Sequence, residues 1–238
     1  MRVNSPRRTA DTPFVIRTAL RPILTLAGVC MALPVAGAIH GTVRVPSLAP
    51  SSATAMNAYP GRAGAMPGMH VSPRGRASDA VVYVAQISAA AESALARAPA
   101  PRPQLAQKDE CFQPRVVPVA VGTAVDFPNL DPIYHNVFSL SPTKRFDLGK
   151  YPKGRSKRVV FDRRGLVKVY CDIHSEMEAF VLVLPHRAFT QPRPDGGFEL
   201  PELPPGRYEL RVWHPDFAEV VREVVVPASG DLRVDLMW

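Results

Sequence analysis

Apolar and polar residues alternate in short runs along most of the chain, which is the period of half-buried β-strands. The clearest runs lie between residues 113 and 184, where Pro, Gly, Asn and Asp separate them. They predict six strands, at 113–121, 123–127, 135–140, 156–162, 165–171 and 178–184. Several short strands at this spacing are typical of a β-sandwich or a barrel.

The region before these strands carries different signals. Strands are predicted at 39–45 and 79–87, and the Pro-, Gly-, Ser- and Met-rich stretch 46–78 between them favours a long loop. Residues 88–98 are strong helix formers, with Ser88 available as an N-cap, and a proline-rich connector follows them. One short helix is therefore expected in a protein made mainly of strands.

The C-terminal part also alternates. Further strands are predicted within 195–236, with turns at 204–206 and 229–231. The 26 prolines and 15 glycines agree with a fold rich in turns and strand edges. We predict an all-β protein of two sandwich-like units that divide near residues 185–194.

The N-terminus has the features of an export signal. Five arginines precede the short apolar run 23–35, and the small residues at 36–38 suit a cleavage site. Cleavage after Ala38 would give a periplasmic protein, residues 39–238, and the run is short for a membrane span. An uncleaved signal that anchors the protein to a membrane is the open alternative.

Cleavage reduces the formal net charge. The chain carries 29 basic and 21 acidic residues, and removal of 1–38 takes five basic residues and one acidic residue, so 24 minus 20 leaves +4. This weak excess is spread along the chain without a basic helix, which argues against nucleic-acid binding.

Two cysteines remain after cleavage, Cys111 and Cys171, and in an exported protein they suggest a disulfide. A different chemistry is suggested by 169–181, VYCDIHSEMEAFV, in which Cys171, His174 and Met177 are spaced three residues apart. Thiolate, imidazole and thioether donors together select copper, and two histidines, one cysteine and a weak axial methionine form electron-transfer copper sites. His135, at the start of a predicted strand, is the candidate second histidine.

The segment 107–184 resembles a cupredoxin, a blue copper domain of Greek-key β-sandwich fold. The resemblance is carried by FPNLDPIYHNVFS (127–139), FDLGKYPKG (146–154) and VYCDIHSEMEAFVLV (169–183). The short spacing from cysteine to methionine is similar to the ligand loop of amicyanin. The overall likeness is to exported bacterial cupredoxins of the "methylamine utilization protein"-like kind.

The resemblance implies one copper ion per chain, held by four residues: His135, Cys171, His174 and Met177. It also implies that Asn136 braces the ligand loop by hydrogen bonding, as a second-shell group does.

The cupredoxins in question end in a carboxypeptidase regulatory-like β-sandwich, which residues 188–238 resemble. Together with the sequence patterns above, the resemblance divides the chain into four expected segments: a signal peptide at 1–38, N-terminal strands with the loop and helix at 39–106, the copper domain at 107–187 and the C-terminal β segment at 188–238. We expect 39–87 to complete the C-terminal sandwich, with the copper domain inserted between them.

The function that follows from this resemblance is single-electron transfer between transient protein partners in the periplasm. We expect no enzyme activity, because the remaining histidines form no His-x-His pair for a catalytic copper and no other catalytic motif is present. Two alternatives stay open. One is a copper carrier or buffer, aided by the methionines and His70 of 56–70, and the other is a metal-free sandwich with a Cys111–Cys171 disulfide.

Overall fold

The computed structural model describes residues 37–46, 73–99 and 102–238, together with Met1 and Leu48. Almost all of the expected signal segment 1–38 and the whole Met/His stretch 56–70 lie outside the described residues. No helix in the described ranges is long and apolar enough to cross a membrane.

The described residues form seventeen strands, one α-helix and a short 3-10 turn at Ala77–Asp79, so the prediction of an all-β fold is confirmed. The helix α1 spans Ala89–Arg97, and the side chain of Ser88 caps it by accepting a hydrogen bond from Ala91 N at 3.2 Å. The strands are β1 (Ile39–Arg44), β2 (Val81–Val84), β3 (Ala106–Lys108), β4 (Cys111–Gln113), β5 (Val116–Ala120), β6 (Thr123–Pro128), β7 (His135–Ser141), β8 (Lys144–Tyr151), β9 (Ser156–Phe161), β10 (Gly165–Tyr170), β11 (Glu178–Leu184), β12 (Phe189–Thr190), β13 (Gly197–Glu199), β14 (Gly206–His214), β15 (Phe217–Val226), β16 (Leu232–Arg233) and β17 (Leu236–Met237).

Strands β3 to β11 form a first sandwich, here called the metal-site sandwich. One sheet has the strand order β5-β11-β10-β7-β8, in which β5 and β11 run parallel, and β6 pairs with β9 across from it. The β7–β8 hairpin lies between β6 and β9 along the chain, which makes a Greek-key path. The inward side chains of these strands share one hydrophobic core, with members such as Val125, Phe127, Phe161, Val169 and Val181.

The other strands form a second sandwich, here called the flanking sandwich. In one sheet β1 pairs with β13, β16 and β17, and in the other β2 pairs with β12 and β14, with β15 beyond β14. Strands that precede the metal-site sandwich in the sequence therefore pair with strands that follow it. The two sheets that they form enclose a separate hydrophobic core. Its likeness to a carboxypeptidase regulatory-like domain stays a prediction, as do the exact domain boundaries.

A third hydrophobic cluster joins the two sandwiches. It contains Val116 of β5, Phe180, Leu182 and Leu184 of β11, and Val81 of β2. The alternate residues of β11 face the core of the metal-site sandwich, so this strand is buried on both faces. Its sequence, EAFVLVL, has the continuous apolar run that such burial requires.

The short strands β3 and β12 were not predicted, and two longer segments also differ from the prediction. The predicted strand 113–121 is broken into β4 and β5 around Pro114, whose nitrogen carries no hydrogen for a ladder. Strand β8 was not predicted, since its charged residues outnumber the inward-facing Phe146 and Leu148. Pairing with β7 forms β8 despite its weak pattern.

Candidate metal centre

Two adjacent strands shape the loop that carries most of the site. In the antiparallel pair of β10 and β11, Tyr170 lies opposite Glu178, so residues 171–177 form the closed end of this hairpin. Within the loop, Met177 N donates to the carbonyl oxygen of His174 at 3.1 Å. The strand ends therefore hold Cys171 at one arm of the loop and Met177 at the other.

The second histidine comes from the neighbouring strand. His135 begins β7, which pairs with β10, and its side chain is fully buried. Its Nδ1 lies 4.0 Å from Cys171 Sγ, and His174 Nδ1 lies 3.8 Å from the same sulfur. The centroids of the two imidazole rings are 4.8 Å apart.

These separations fit one bound ion. Metal–nitrogen bonds of about 2.0 Å and metal–sulfur bonds of about 2.3 Å let one ion bridge a nitrogen and a sulfur up to roughly 4.3 Å apart. Both sulfur–nitrogen distances are shorter than this limit. Among the described residues, His135, Cys171 and His174 are the one group of three or more His, Cys, Asp or Glu side chains that could hold a metal ion.

Met177, the fourth predicted donor, lies at the end of the ligand loop, directly before β11. Its side chain is fully buried, and it belongs to the same hydrophobic cluster as Cys171. A soft thioether beside a thiolate and two imidazoles is the donor chemistry of copper electron-transfer sites, and zinc sites take nitrogen, thiolate sulfur or oxygen donors instead.

The two histidines differ in their access to solvent. His135 is inaccessible, whereas the His174 side chain is 23% exposed. Exposed apolar side chains lie on the two loops that carry the site, namely Leu130, Ile133 and Tyr134 before β7 and Ile173 in the ligand loop. The site therefore reaches the surface at His174, and exposed apolar side chains lie on both loops that carry it.

Asp131, which was not predicted from the sequence, contacts the site. Asp131 Oδ2 lies 2.7 Å from His135 Nε2. The same carboxylate accepts hydrogen bonds from the backbone nitrogens of Asp109 at 2.7 Å and Glu110 at 3.0 Å. Burial alone would raise the pKa of Asp131, but the hydrogen bonds from the two backbone nitrogens and from His135 hold that pKa below its ordinary value.

The only sequence signal for Asp131 is its position four residues before His135, in a turn ahead of a strand. Its two backbone donors are more than 20 residues away, so no local pattern identifies the contact.

Asn136 is buried, but its amide faces β8. Its Nδ2 donates to Asp147 Oδ1 at 2.7 Å, and that oxygen also accepts from Gly149 N. Its Oδ1 is buried without a hydrogen-bond partner in the described part of the chain. The hydrogen bonds of the described residues thus connect Asn136 to the strand beside it, and none of them reaches the ligand loop.

Cys171 is a free thiol, so the structure contains no Cys111–Cys171 disulfide. The sulfur of Cys171 faces the two imidazoles instead. Cys111 lies buried on β4, paired in the ladder with Lys108 of β3. The metal-free alternative that depends on this disulfide therefore loses its structural basis.

Several solved structures are similar to part of this chain. A copper-containing nitrite reductase from Thermus scotoductus SA-01 is 26% identical over 36% of this chain and 23% of its own, with a TM-score of 0.33. A purple cupredoxin from Nitrosopumilus maritimus is 25% identical over 34% of this chain and 98% of its own, with a TM-score of 0.31. An oxidised amicyanin variant is 17% identical over 37% of this chain and 88% of its own, with a TM-score of 0.33.

The present chain thus spans less than a quarter of the length of the nitrite reductase. No family model matches the chain, and no curated protein does. At these TM-scores the likenesses do not assign the chain to a family.

Proposed function

We propose that this protein is a mononuclear copper protein of the type 1 class that carries single electrons between protein partners. The observation that supports the proposal is the arrangement of two imidazole nitrogens 4.0 and 3.8 Å from one buried cysteine sulfur, with a buried methionine in the same cluster. When bound, the copper would supply the one-electron couple between Cu(II) and Cu(I).

Each residue of the site would have a separate task. His135, Cys171 and His174 would be the three strong ligands, and Met177 the weak one that tunes the reduction potential. Strands β7, β10 and β11 hold three of these side chains in the sandwich core, where close packing limits their movement. A rigid ligand set suits electron transfer because the geometry changes little between the two oxidation states.

The electron would enter and leave at His174, the more exposed histidine. The apolar side chains of Ile133, Tyr134 and Ile173 on this face would give small, transient contacts with redox partners. In this proposal the protein is exported to the periplasm and performs no catalysis itself.

The test is an absorption and EPR spectrum of the purified protein loaded with Cu(II). We expect an intense blue thiolate-to-copper band at one copper per chain, which the Cys171→Ser variant lacks. The matched control is Cys111→Ser, which changes the other cysteine of the same sandwich and should leave the band intact. A colourless wild-type protein, or a band that C111S abolishes, would contradict the proposal.

Copper carriage uses the same ligands, so a second measurement separates the two functions. Repeated oxidation and reduction in the presence of a Cu(I) chelator should leave the copper in place if the protein transfers electrons. Loss of the metal to the chelator within the first reduction would favour carriage.

A further inference from the structure

A strained turn lies beside the candidate metal centre. The hairpin of β3 and β4 turns through Asp109 and Glu110, whose φ angles are 54° and 53°. A two-residue hairpin turn of type I′ requires such positive φ values at both residues. Asp tolerates this left-handed region better than Glu does, so Glu110 is the more strained of the two.

The turn directs two backbone N–H groups at one carboxylate. Asp109 N donates to Asp131 Oδ1, and Glu110 N donates to Asp131 Oδ2, so each carboxylate oxygen is engaged. Asp131 N also donates to Asn129 Oδ1 at 2.9 Å. Asp131 is 5% exposed, and the surrounding groups therefore hold its carboxylate in one orientation.

This carboxylate then determines the state of His135. An ionised carboxylate only accepts hydrogen bonds, so His135 Nε2, 2.7 Å from Asp131 Oδ2, must carry the proton. In the neutral ring, Nδ1 is then the nitrogen with the free lone pair, and Nδ1 is the atom that faces Cys171 Sγ. The hydrogen bond and the ligand direction are consistent with each other.

The same turn reaches the second histidine. Glu110 Oε2 lies 3.9 Å from His174 Nε2, and both side chains are partly exposed. The β3–β4 hairpin thus approaches the Nε2 atoms of both histidines. It reaches His135 through its backbone N–H groups and Asp131, and it reaches His174 through the side chain of Glu110.

We propose that Asp131 is a positioning residue that fixes the tautomer and ring orientation of His135, and that the Asp109–Glu110 turn exists to hold Asp131 in place. The inference rests on the proposed copper site, but the first measurement below, the tautomer of His135, needs no copper. Carboxylates behind ligand histidines typically change metal affinity by about 10- to 100-fold when removed.

The first experiment measures the His135 tautomer by nitrogen-15 NMR in the metal-free protein. We expect the Nε2–H form in the wild type and a mixture of tautomers in the Asp131→Asn variant, whose side-chain amide no longer accepts at both positions. The matched control is Asp126→Asn, which neutralises a carboxylate of the same sandwich that pairs with Arg158 instead of a histidine. An unchanged tautomer in D131N would overturn the inference.

The second experiment measures copper. D131N should lose about 10- to 100-fold in Cu(II) affinity, whereas D126N should stay within about twofold of the wild type. Removal of a negative charge near the ion should weaken Cu(II) binding more than Cu(I) binding, and each tenfold difference raises the potential of a one-electron couple by about 59 mV. Equal affinities and potentials in D131N and D126N would contradict the positioning role.

The role of the turn has its own test. Glu110→Gly keeps the backbone N–H and relieves the strain at φ 53°, so it should preserve the His135 tautomer and Cu(II) affinity. A loss as large as that of D131N would assign the effect to the Glu110 side chain and overturn the backbone argument. A wild-type protein without the blue band would refute the proposed function, while the tautomer measurement would still decide this inference.

Discussion

The guanidinium of Arg115 forms two parallel hydrogen bonds to the carboxylate of Asp216, with Nη1–Oδ2 at 2.7 Å and Nη2–Oδ1 at 3.0 Å. Arg115 precedes β5 in the metal-site sandwich, and Asp216 lies between β14 and β15 in the flanking sandwich. Asp79 and Glu178 lie 3.7 and 3.9 Å from the same guanidinium. Glu178 directly follows Met177, so this buried charge cluster links the flanking sandwich to the end of the ligand loop.

The first prediction concerns this cluster. Arg115→Ala should lower the free energy of unfolding by about 3–5 kcal/mol, because it leaves the largely buried carboxylate of Asp216 without its cation, whereas Asp79 keeps its ion pair with Arg76. Urea denaturation measures the change. The control is Arg222→Ala, an exposed arginine on β15, which should cost no more than about 0.5 kcal/mol. Equal stabilities of the two variants would refute the role of the cluster.

The second prediction separates the junction from the metal centre. Phe180 packs with Trp213 at a centroid distance of 6.0 Å, on the face of β11 that points away from the site. Phe180→Ala should cost about 3–5 kcal/mol of stability while the blue copper spectrum stays unchanged. Leu140→Ala, at a position 66% exposed, is the control and should be nearly neutral. A changed spectrum in F180A would show that the junction and the site are coupled.

The third prediction concerns the weak ligand. Met177→Leu conserves volume in a buried position, so it should cost less than about 1.5 kcal/mol of stability. The blue band should remain, because Cys171 and the two histidines produce it, and the reduction potential should rise because a donor that favours Cu(II) is lost. Cyclic voltammetry measures the potential. An unchanged potential would mean that Met177 is only a core residue.

The fourth prediction is a dependence of stability on pH. Burial lowers the pKa of His214 from its ordinary value of 6.5, and the charge of Arg115 lowers it further. The hydrogen bond to Arg76 O and the charges of Asp216 and Asp79 raise this pKa, but they do not outweigh burial. His214 Nδ1 accepts a hydrogen bond from Asp216 N at 3.0 Å, which a protonated ring could not do. The unfolded chain therefore binds a proton near pH 6.5, while the folded protein binds it only at lower pH.

Stability should consequently fall as the pH decreases below about 6.5, and continue to fall until the folded ring is protonated. The His214→Asn variant should show a smaller decrease between pH 7 and pH 5 in denaturant titrations. His40→Asn, a half-buried histidine on β1, controls for the loss of an imidazole. An identical decrease in the wild type and H214N would remove His214 as the cause.

The strands that were predicted correctly have a clear local pattern. In β10 the buried Val167 and Val169 flank the exposed Lys168, and the continuous apolar run of β11 is explained by burial on two faces. The signal is weaker in β8, where Phe146 and Leu148 alternate with polar residues but are outnumbered by charged and glycine residues. Pairing with β7 decides the conformation of β8, and pairing is a tertiary property.

The candidate donors could be predicted because three of them lie in one loop with regular spacing. Cys171, His174 and Met177 follow each other at intervals of three residues, and their soft donor atoms restrict the metal by chemistry alone. His135 lies 36 residues before Cys171, and its place beside the sulfur depends on the pairing of β7 with β10. Asp131 and its turn were missed because hydrogen bonds between distant segments leave no periodic signal.

Local properties, namely side-chain period, capping preference and donor chemistry, were enough to predict the all-β class, the helix cap at Ser88 and the soft side chains of the candidate site. The tertiary structure decided which segments share a sheet, since β1 and β2 pair with strands more than 100 residues away. It also decided that Cys171 faces two imidazoles rather than Cys111. These outcomes depend on burial and on backbone pairing between distant strands. Both contribute free energy only once the whole sandwich has packed, so no single stretch of the chain predicts them.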